Sequence, residues 1–243
     1  MKEILMQVRD LSFRYGKHSV IENVSFDLFK GDYLGVVGPN GSGKTTLLKL
    51  CLGLIKKDSG TIKLFDKDLE NLKERTKLAY ISQKSNSFNM GFPATVEEVI
   101  KGSLLSIGYN KKDANEMMGR ALNEIGIENI RHKRIGDLSG GQQQKAFIAK
   151  AIASNPEVIF LDEPTVGIDQ KSQDYFYETM GRLNKEGVTL FMVSHDISAV
   201  TTYSNRVICI GENTFHIHEK NEISDIETSL KKIYGKNMGF VTH

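Results

Sequence analysis

Tyr33-Leu34-Gly35-Val36-Val37-Gly38-Pro39-Asn40-Gly41-Ser42-Gly43-Lys44-Thr45-Thr46-Leu47-Leu48 decides the fold of this 243-residue chain. Its first five residues are the run of a strand buried on both faces. Gly38 to Thr45 then fit G-x-x-x-x-G-K-[ST], and an apolar helix is expected from Thr45 to Leu54. Strand, glycine-rich turn and helix in that order make a phosphate cradle. The glycines let the backbone wrap so that successive N–H groups face a β-phosphate, and the helix N-terminus adds its positive dipole end. Lys44 is placed to reach β/γ-phosphates and the Thr45 hydroxyl to ligate Mg²⁺. The plain alternative, a glycine-rich turn with an incidental lysine, does not explain the strand before it and the helix after it.

On the N-terminal side, Leu5, Gln7, Val8 and then Val20, Ile21, Val24, Phe26, Leu28 alternate as short antiparallel strands do. Turns are expected at Tyr15-Gly16-Lys17 and Lys30-Gly31-Asp32. On the C-terminal side helices alternate with strands: a helix from Ser139 to about Ser154, the strand Val158–Leu161, a helix near Ser172–Asn184 and the strand Val188–Val193. That alternation predicts a parallel sheet. Between these parts, Thr95-Val96-Glu97-Glu98 and Asp113-Ala114-Asn115-Glu116 read as capping boxes that open helices. The second helix carries Ala114, Met117, Met118, Ala121, Leu122 and Ile125 on one face, the spacing of core packing. The fold class is therefore α/β, with an all-helical insertion at about residues 86–138.

Composition narrows the setting. With 32 Lys+Arg against 30 Asp+Glu the net charge is +2, and the charges are mixed rather than blocked, so no nucleic-acid partner is expected. Cys51 and Cys209 lie in apolar runs and read as core hydrophobes of a reducing compartment. No apolar stretch approaches the ~18 residues of a membrane span, and Met1-Lys2-Glu3-Ile4 opens no signal peptide. The expectation is a cytoplasmic location.

Two further constellations carry chemistry. Val158-Ile159-Phe160-Leu161 delivers Asp162 and Glu163 to the C-terminal end of a buried strand, where α/β sheets bind ligands. Asp162 is the candidate Mg²⁺ holder, and Glu163 the candidate base for an attacking water. Leu138-Ser139-Gly140-Gly141-Gln142 satisfies a capping box, yet two glycines leave that helix N-terminus bare enough to approach a second phosphate. Two phosphate-binding ends about 95 residues apart imply either two nucleotides or service to different copies.

The ordered set Gly38–Thr45, Gln83, Leu138–Gln142, Asp162-Glu163, Asp169 and His195 resembles the ATP-binding subunit of an ABC transporter, over about residues 2–212. The resemblance implies a P-loop NTPase (RecA-like) core with an antiparallel β subdomain and an inserted helical subdomain. It makes residues 1–243 a single ATP-binding domain with a short C-terminal extension from about 213. It implies a head-to-tail homodimer, with ATP between one chain's P-loop and the other's Ser139–Gln142 helix. By the same resemblance Tyr15 stacks on adenine, and Gly38, Pro39, Asn40, Gly41, Ser42, Gly43, Lys44, Thr45 and Thr46 hold the phosphates. Ser139, Gly140, Gly141, Gln142 and Asp169 serve the partner's nucleotide. Glu163, Gln83 and His195 form the catalytic set, and Thr45, Gln83 and Asp162 surround Mg²⁺.

The subfamily follows from Phe92-Pro93-Ala94-Thr95-Val96-Glu97-Glu98-Val99, Glu163-Pro164-Thr165-Val166-Gly167-Ile168-Asp169 and Val193-Ser194-His195-Asp196, which look like the ATPases of zinc and manganese importers. That likeness implies integral-membrane permease subunits and an extracytoplasmic metal-binding protein in other chains. It places this chain at the cytoplasmic face of the membrane. A soluble ABC ATPase scaffold, for instance in iron–sulfur cluster assembly, is the alternative. The cluster Phe88, Met90 and Phe92 is expected to receive a permease helix or else to plug the helical subdomain. Phe215-His216-Ile217-His218 offers two histidines on one strand face, too few for a closed metal site. Ser224-Asp225-Ile226-Glu227 opens an expected C-terminal helix.

Overall fold

A computed structural model describes residues 2–72, 75–82, 92–211, 214–219 and 222. The chain divides into two compact units, residues 1–73 with 189–243, and residues 74–188.

The first unit holds two sheets. Strands β1 (Ile4–Tyr15) and β2 (His18–Phe29) form the expected hairpin, paired antiparallel from Tyr15↔His18 to Ile4↔Phe29. β4 (Ser59–Leu64) pairs on the other side of β1, and the short β5 (Lys67–Asp68) completes the order β2-β1-β4-β5. Alternation decides the faces: Met6, Val8, Leu11, Val24, Phe26 and Leu28 are buried, while Asp10, Glu22 and Ser25 are exposed. The second sheet centres on β3 (Tyr33–Val37), with β8 (Thr189–Val193) and β9 (Arg206–Gly211) parallel to it on either side. β10 (Thr214–Glu219) folds back antiparallel on β9. Every residue of β3 and β8 is buried, as their apolar runs require, and the polar Thr189 at the start of β8 accepts from the Gly31 N–H at 3.0 Å. Helix α1 (Lys44–Cys51) follows the glycine loop, and α6 (Ile197–Tyr203) packs on β3. Cys51 and Cys209 are both fully buried, and burial pushes the thiol pKa of each well up.

Arg206 fastens this unit. Its guanidinium donates to Asp32 at 2.9 Å, to the Asp27 carbonyl at 2.7 Å and to Glu219 at 2.9 Å, and it lies 4.9 Å over the Phe29 ring. The ends of β2, β3, β9 and β10 thus converge on one side chain.

The second unit pairs β6 (Leu78–Ile81) parallel with β7 (Val158–Asp162) and surrounds them with helices. These are α2 (Val96–Ser106), α3 (Lys111–Ile125), α4 (Gly140–Ile152) and α5 (Gln170–Lys185). α3 packs on both α2 and α4; of its expected stripe Ala114, Met118, Ala121, Leu122 and Ile125 are buried, while Met117 is half-buried. The Thr95–Glu98 capping box is present in full. The Asp113 box is not. The helix begins three residues earlier because the Asn110 side chain accepts from the Lys112 and Asp113 N–H groups, each at 3.0 Å, which places Asp113 inside the first turn. The expected helix from Ser224 lies outside the described residues.

Candidate functional site

In the first unit, β3 hands the chain straight into the glycine loop. Gly41 and Gly43 hold φ of 84° and 95°, a region that side chains on L-residues rarely enter, and the second is the N-cap of α1. Lys44 is 6% exposed; its Nζ folds back to donate to the carbonyls of Gly38 at 2.8 Å and Pro39 at 2.9 Å. A cation is thereby buried over a loop of backbone N–H groups, which suits a polyanion. The Ser42 hydroxyl is buried without a hydrogen-bond partner among the described residues. It borders a cavity of about 440 Å³, together with Val20 and Ile21 of β2 and Thr214 of β10, whose hydroxyl likewise has no partner among the described residues. That orphaned pair and that volume fit a bound polar molecule of nucleotide size.

Two other residues of the reading belong to this unit. β3 and β8 run parallel with Val36 beside Val193, so the loops after them leave at the same sheet end; His195 is exposed on the second of these loops. The Ser194 N–H donates to the Val36 carbonyl at 3.2 Å and ties the two exits together. Asp196 caps α6, which fixes the turn that carries His195. Tyr15 is 53% exposed, its ring edge-on to Phe13 at 4.8 Å, leaving a face open for stacking. Thr46 is buried in the first turn of α1.

The second unit carries the acidic pair and the second glycine-bare helix end. Asp162 ends β7 at 3% exposure, with the Tyr80 hydroxyl 3.4 Å from its Oδ2. Burial, followed by the Asp162 charge and hydrogen bond, pushes the Tyr80 pKa up to about 12, so the phenol stays a donor. Glu163 is 9% exposed and holds φ of 49°, a left-handed backbone unusual for glutamate. Ser139 caps α4 in a complete capping box with Gln142. Asp169 caps α5, accepting from the Ser172 N–H at 3.1 Å and its hydroxyl at 2.8 Å. Those hydrogen bonds, side chain first, hold its carboxyl below the usual range. A Cβ on Gly141 would lie 2.5 Å from the Ser172 hydroxyl, so the glycine lets the ends of α4 and α5 approach. Among the predicted residues, Gln83 lies outside the described residues, as do Phe88 and Met90, while Phe92 is 39% exposed.

Sequence reading missed Tyr80, because nothing local marks a strand tyrosine that meets an aspartate 82 positions away. It also missed the strained backbone of Glu163. Among the described residues no group of three or more His, Cys, Asp or Glu could hold a metal by itself, and no helix is long and apolar enough to cross a membrane. His216 and His218 do share β10, with ring centroids 6.3 Å apart.

A lysine loop wrapped by glycines between a buried parallel strand and a helix defines a P-loop nucleotide-binding fold. The family model for the ABC transporter matches residues 21–166. The zinc uptake system ATP-binding protein ZurA of Listeria monocytogenes is 46% identical over 218 residues, covering 87% of this chain and 84% of the relative. The manganese transport system ATP-binding protein MntB of Halalkalibacterium halodurans is 38% identical over 212 residues, covering 86% and 83%. A solved ABC transporter in an inward-facing conformation superposes with a TM-score of 0.82 at 26% identity, over 96% of this chain and 89% of that one. The chain belongs to the ABC transporter family.

Proposed function

We propose that this chain is the ATP-hydrolysing subunit of a membrane importer for zinc or a related divalent metal such as manganese, acting as a homodimer at the cytoplasmic face of permease subunits. An extracytoplasmic metal-binding protein would deliver the metal through the permease. One observation carries the reading: a single chain holds a P-loop with its lysine buried on it and a second, glycine-bare helix end capped by Ser139. The metal rests on the names of the zinc and manganese relatives. The whole chain then forms one ATP-binding domain, with residues of about 86–138 as its helical subdomain.

In this reading the glycine-loop N–H groups bind the β-phosphate, and Lys44 exchanges two neutral carbonyl partners for β/γ-phosphate oxygens, a stronger charge-assisted pairing. Tyr15 stacks on the base. The Thr45 hydroxyl and the Asp162 carboxylate are hard oxygen donors of the kind Mg²⁺ takes. When bound, Mg²⁺ neutralises charge on the β/γ oxygens. The Tyr80 hydroxyl donates to the Asp162 carboxylate and helps to orient it. Glu163 takes the proton of the attacking water, and its fixed backbone limits where that carboxylate points. Gln83 and His195 orient water and γ-phosphate, while Ser139, Gly140, Gly141, Gln142 and Asp169 act on the nucleotide of the other copy.

Glu163→Gln tests this directly. It keeps shape and removes the base, so ATP binding should persist, turnover should fall by about 10²-fold or more, and an ATP-bound dimer should appear on gel filtration. Undiminished turnover would remove Glu163 from the role. Co-purification with a polytopic permease from detergent-solubilised membranes separates the importer from a soluble scaffold.

A further inference from the structure

The first turns of α4 and α5 border a recess of about 240 Å³, whose lining includes Gln144, Lys145, Lys171, Ser172 and Tyr175. Pockets for whole small molecules run to about 300–1,000 Å³, so this one suits a smaller guest with its waters. Charge says what kind. Two lysines and no carboxylate are among its described lining. The Lys145 ammonium sits 4.2 Å from the centroid of the Tyr175 ring, whose hydroxyl donates to the Ile125 carbonyl at 3.2 Å. Lys171 is exposed in the first turn of α5, where the helix dipole disfavours a cation and no acidic residue offsets it. The N-cap carboxylate of Asp169 is engaged by Ser172. Among the described residues no carboxylate pairs with either lysine. Two helix N-terminal ends and two cations thus meet around one space, the setting an anion takes.

Gln144 narrows the choice of anion. It is 2% exposed, and neither its amide nitrogen nor its amide oxygen has a hydrogen-bond partner among the described residues. Buried amides are rarely left so, and this one calls for a guest that both accepts and donates. A carboxylate or a sulfate brings acceptors alone at neutral pH. Inorganic phosphate brings both, because it keeps at least one P–OH there. Its remaining oxygens suit the two lysines through charge-assisted hydrogen bonds.

We propose that this recess is a binding site for free inorganic phosphate, held by Gln144, Lys145 and Lys171. The recess adjoins the Ser139–Gln142 end of α4. On the ATPase reading above, its phosphate is the product cleaved from the nucleotide which that end serves, and the recess is the place it occupies on leaving.

The test uses the full chain carrying Lys44→Ala, so that phosphate on the glycine loop does not contribute. Equilibrium dialysis with radiolabelled inorganic phosphate, without nucleotide, should show one saturable site per chain. Gln144→Leu and Lys171→Met, each added to that chain, should weaken it about tenfold. Sulfate should compete about tenfold less well than phosphate, and Gln144→Leu should erase that preference, which a purely structural glutamine would not set. In the chain with Lys44 intact, added phosphate should lower kcat for ATP hydrolysis without raising KM, and Lys171→Met should blunt that inhibition. No saturable binding, or binding that both variants leave unchanged, would overturn the proposal. So would inhibition purely competitive with ATP, which puts the phosphate on the glycine loop. If Gln144→Leu in a Glu163→Gln chain abolishes the ATP-bound dimer while free phosphate never binds, the recess serves the phosphate still attached to the other copy's nucleotide, and the proposal fails. A chain that binds phosphate here yet never hydrolyses ATP would instead overturn the ATPase reading and leave the site standing. Should Gln144→Leu not fold, Lys171→Met decides by the same dialysis, because its side chain is exposed.

Discussion

Gly141 shows how much one missing Cβ decides. Gly140 faces open space, whereas a Cβ on Gly141 would lie 2.5 Å from the Ser172 hydroxyl. Both lie at the start of α4, where alanine is the better helix former by about 1 kcal/mol. Gly140→Ala should therefore hold or raise the melting temperature, while Gly141→Ala should lose about 1–3 kcal/mol by overpacking. Adding Ser172→Ala removes the hydroxyl and should restore most of that loss; a double variant as unstable as Gly141→Ala would show that the clash lies elsewhere. The glycine pair was legible in the sequence as a bare helix end, but Ser172 was not. Nothing in the local pattern says that α5 brings its first turn to that spot. Arg206 is a sharper case, since it meets Asp32 across 174 positions. Arg206→Met leaves the Asp32 carboxylate, at 2% side-chain exposure, without its counter-cation and should cost about 3–5 kcal/mol in denaturant melts. A loss below 1 kcal/mol would mean that the Asn205 and Phe29 donors suffice to hold Asp32.

At the scale of elements, periodicity located the helices and strands, and capping chemistry decided their ends. The Thr95 box was read correctly because both partners lie within one turn. The start of α3 was misread because Asp113 and Glu116 mimic a box while Asn110 takes the N–H groups first. Thr95→Ala should cost about 1 kcal/mol, seen as a lower melting temperature. α4 carries the opposite kind of residue. Burial lowers the pKa of Lys150 from the usual 10.5, so the folded state gives up that proton before the unfolded state does. Below the folded pKa the cost of holding the charge is fully present. As pH rises from there towards 10.5 the unfolded chain keeps more protons, and stability relative to an uncharged variant recovers. Lys150→Met should thus be more stable than wild type at pH 7, with the gap narrowing by pH 10. A Met variant that melts lower at pH 7 would mark Lys150 as a structural prop.

For the whole molecule, the motifs told more than the folding pattern did. Gly38–Thr45 and Asp162-Glu163 could be placed at strand ends because buried strands announce themselves as unbroken apolar runs. The Arg206 cluster and the Tyr80–Asp162 contact depend on distant pairings that no local pattern encodes. The remaining question is how one chain would use the two helix ends proposed to bind phosphate, and the assignment of Ser139–Gln142 to the other copy answers it in a way that mixing can test. In a mixture of Lys44→Ala and Ser139→Arg chains, each parent dimer has both of its composite sites damaged. A mixed dimer concentrates both lesions in one site and leaves the other with an intact Lys44 and an intact Ser139. Random pairing makes half of the dimers mixed, each with one working site of two, so about a quarter of wild-type turnover should return if the sites act independently in a two-fold dimer. If both helix ends of one chain served one ATP, neither parent chain could repair the other. The mixture would then stay as inactive as its components, and the role of the Ser139 end in trans would have to be abandoned.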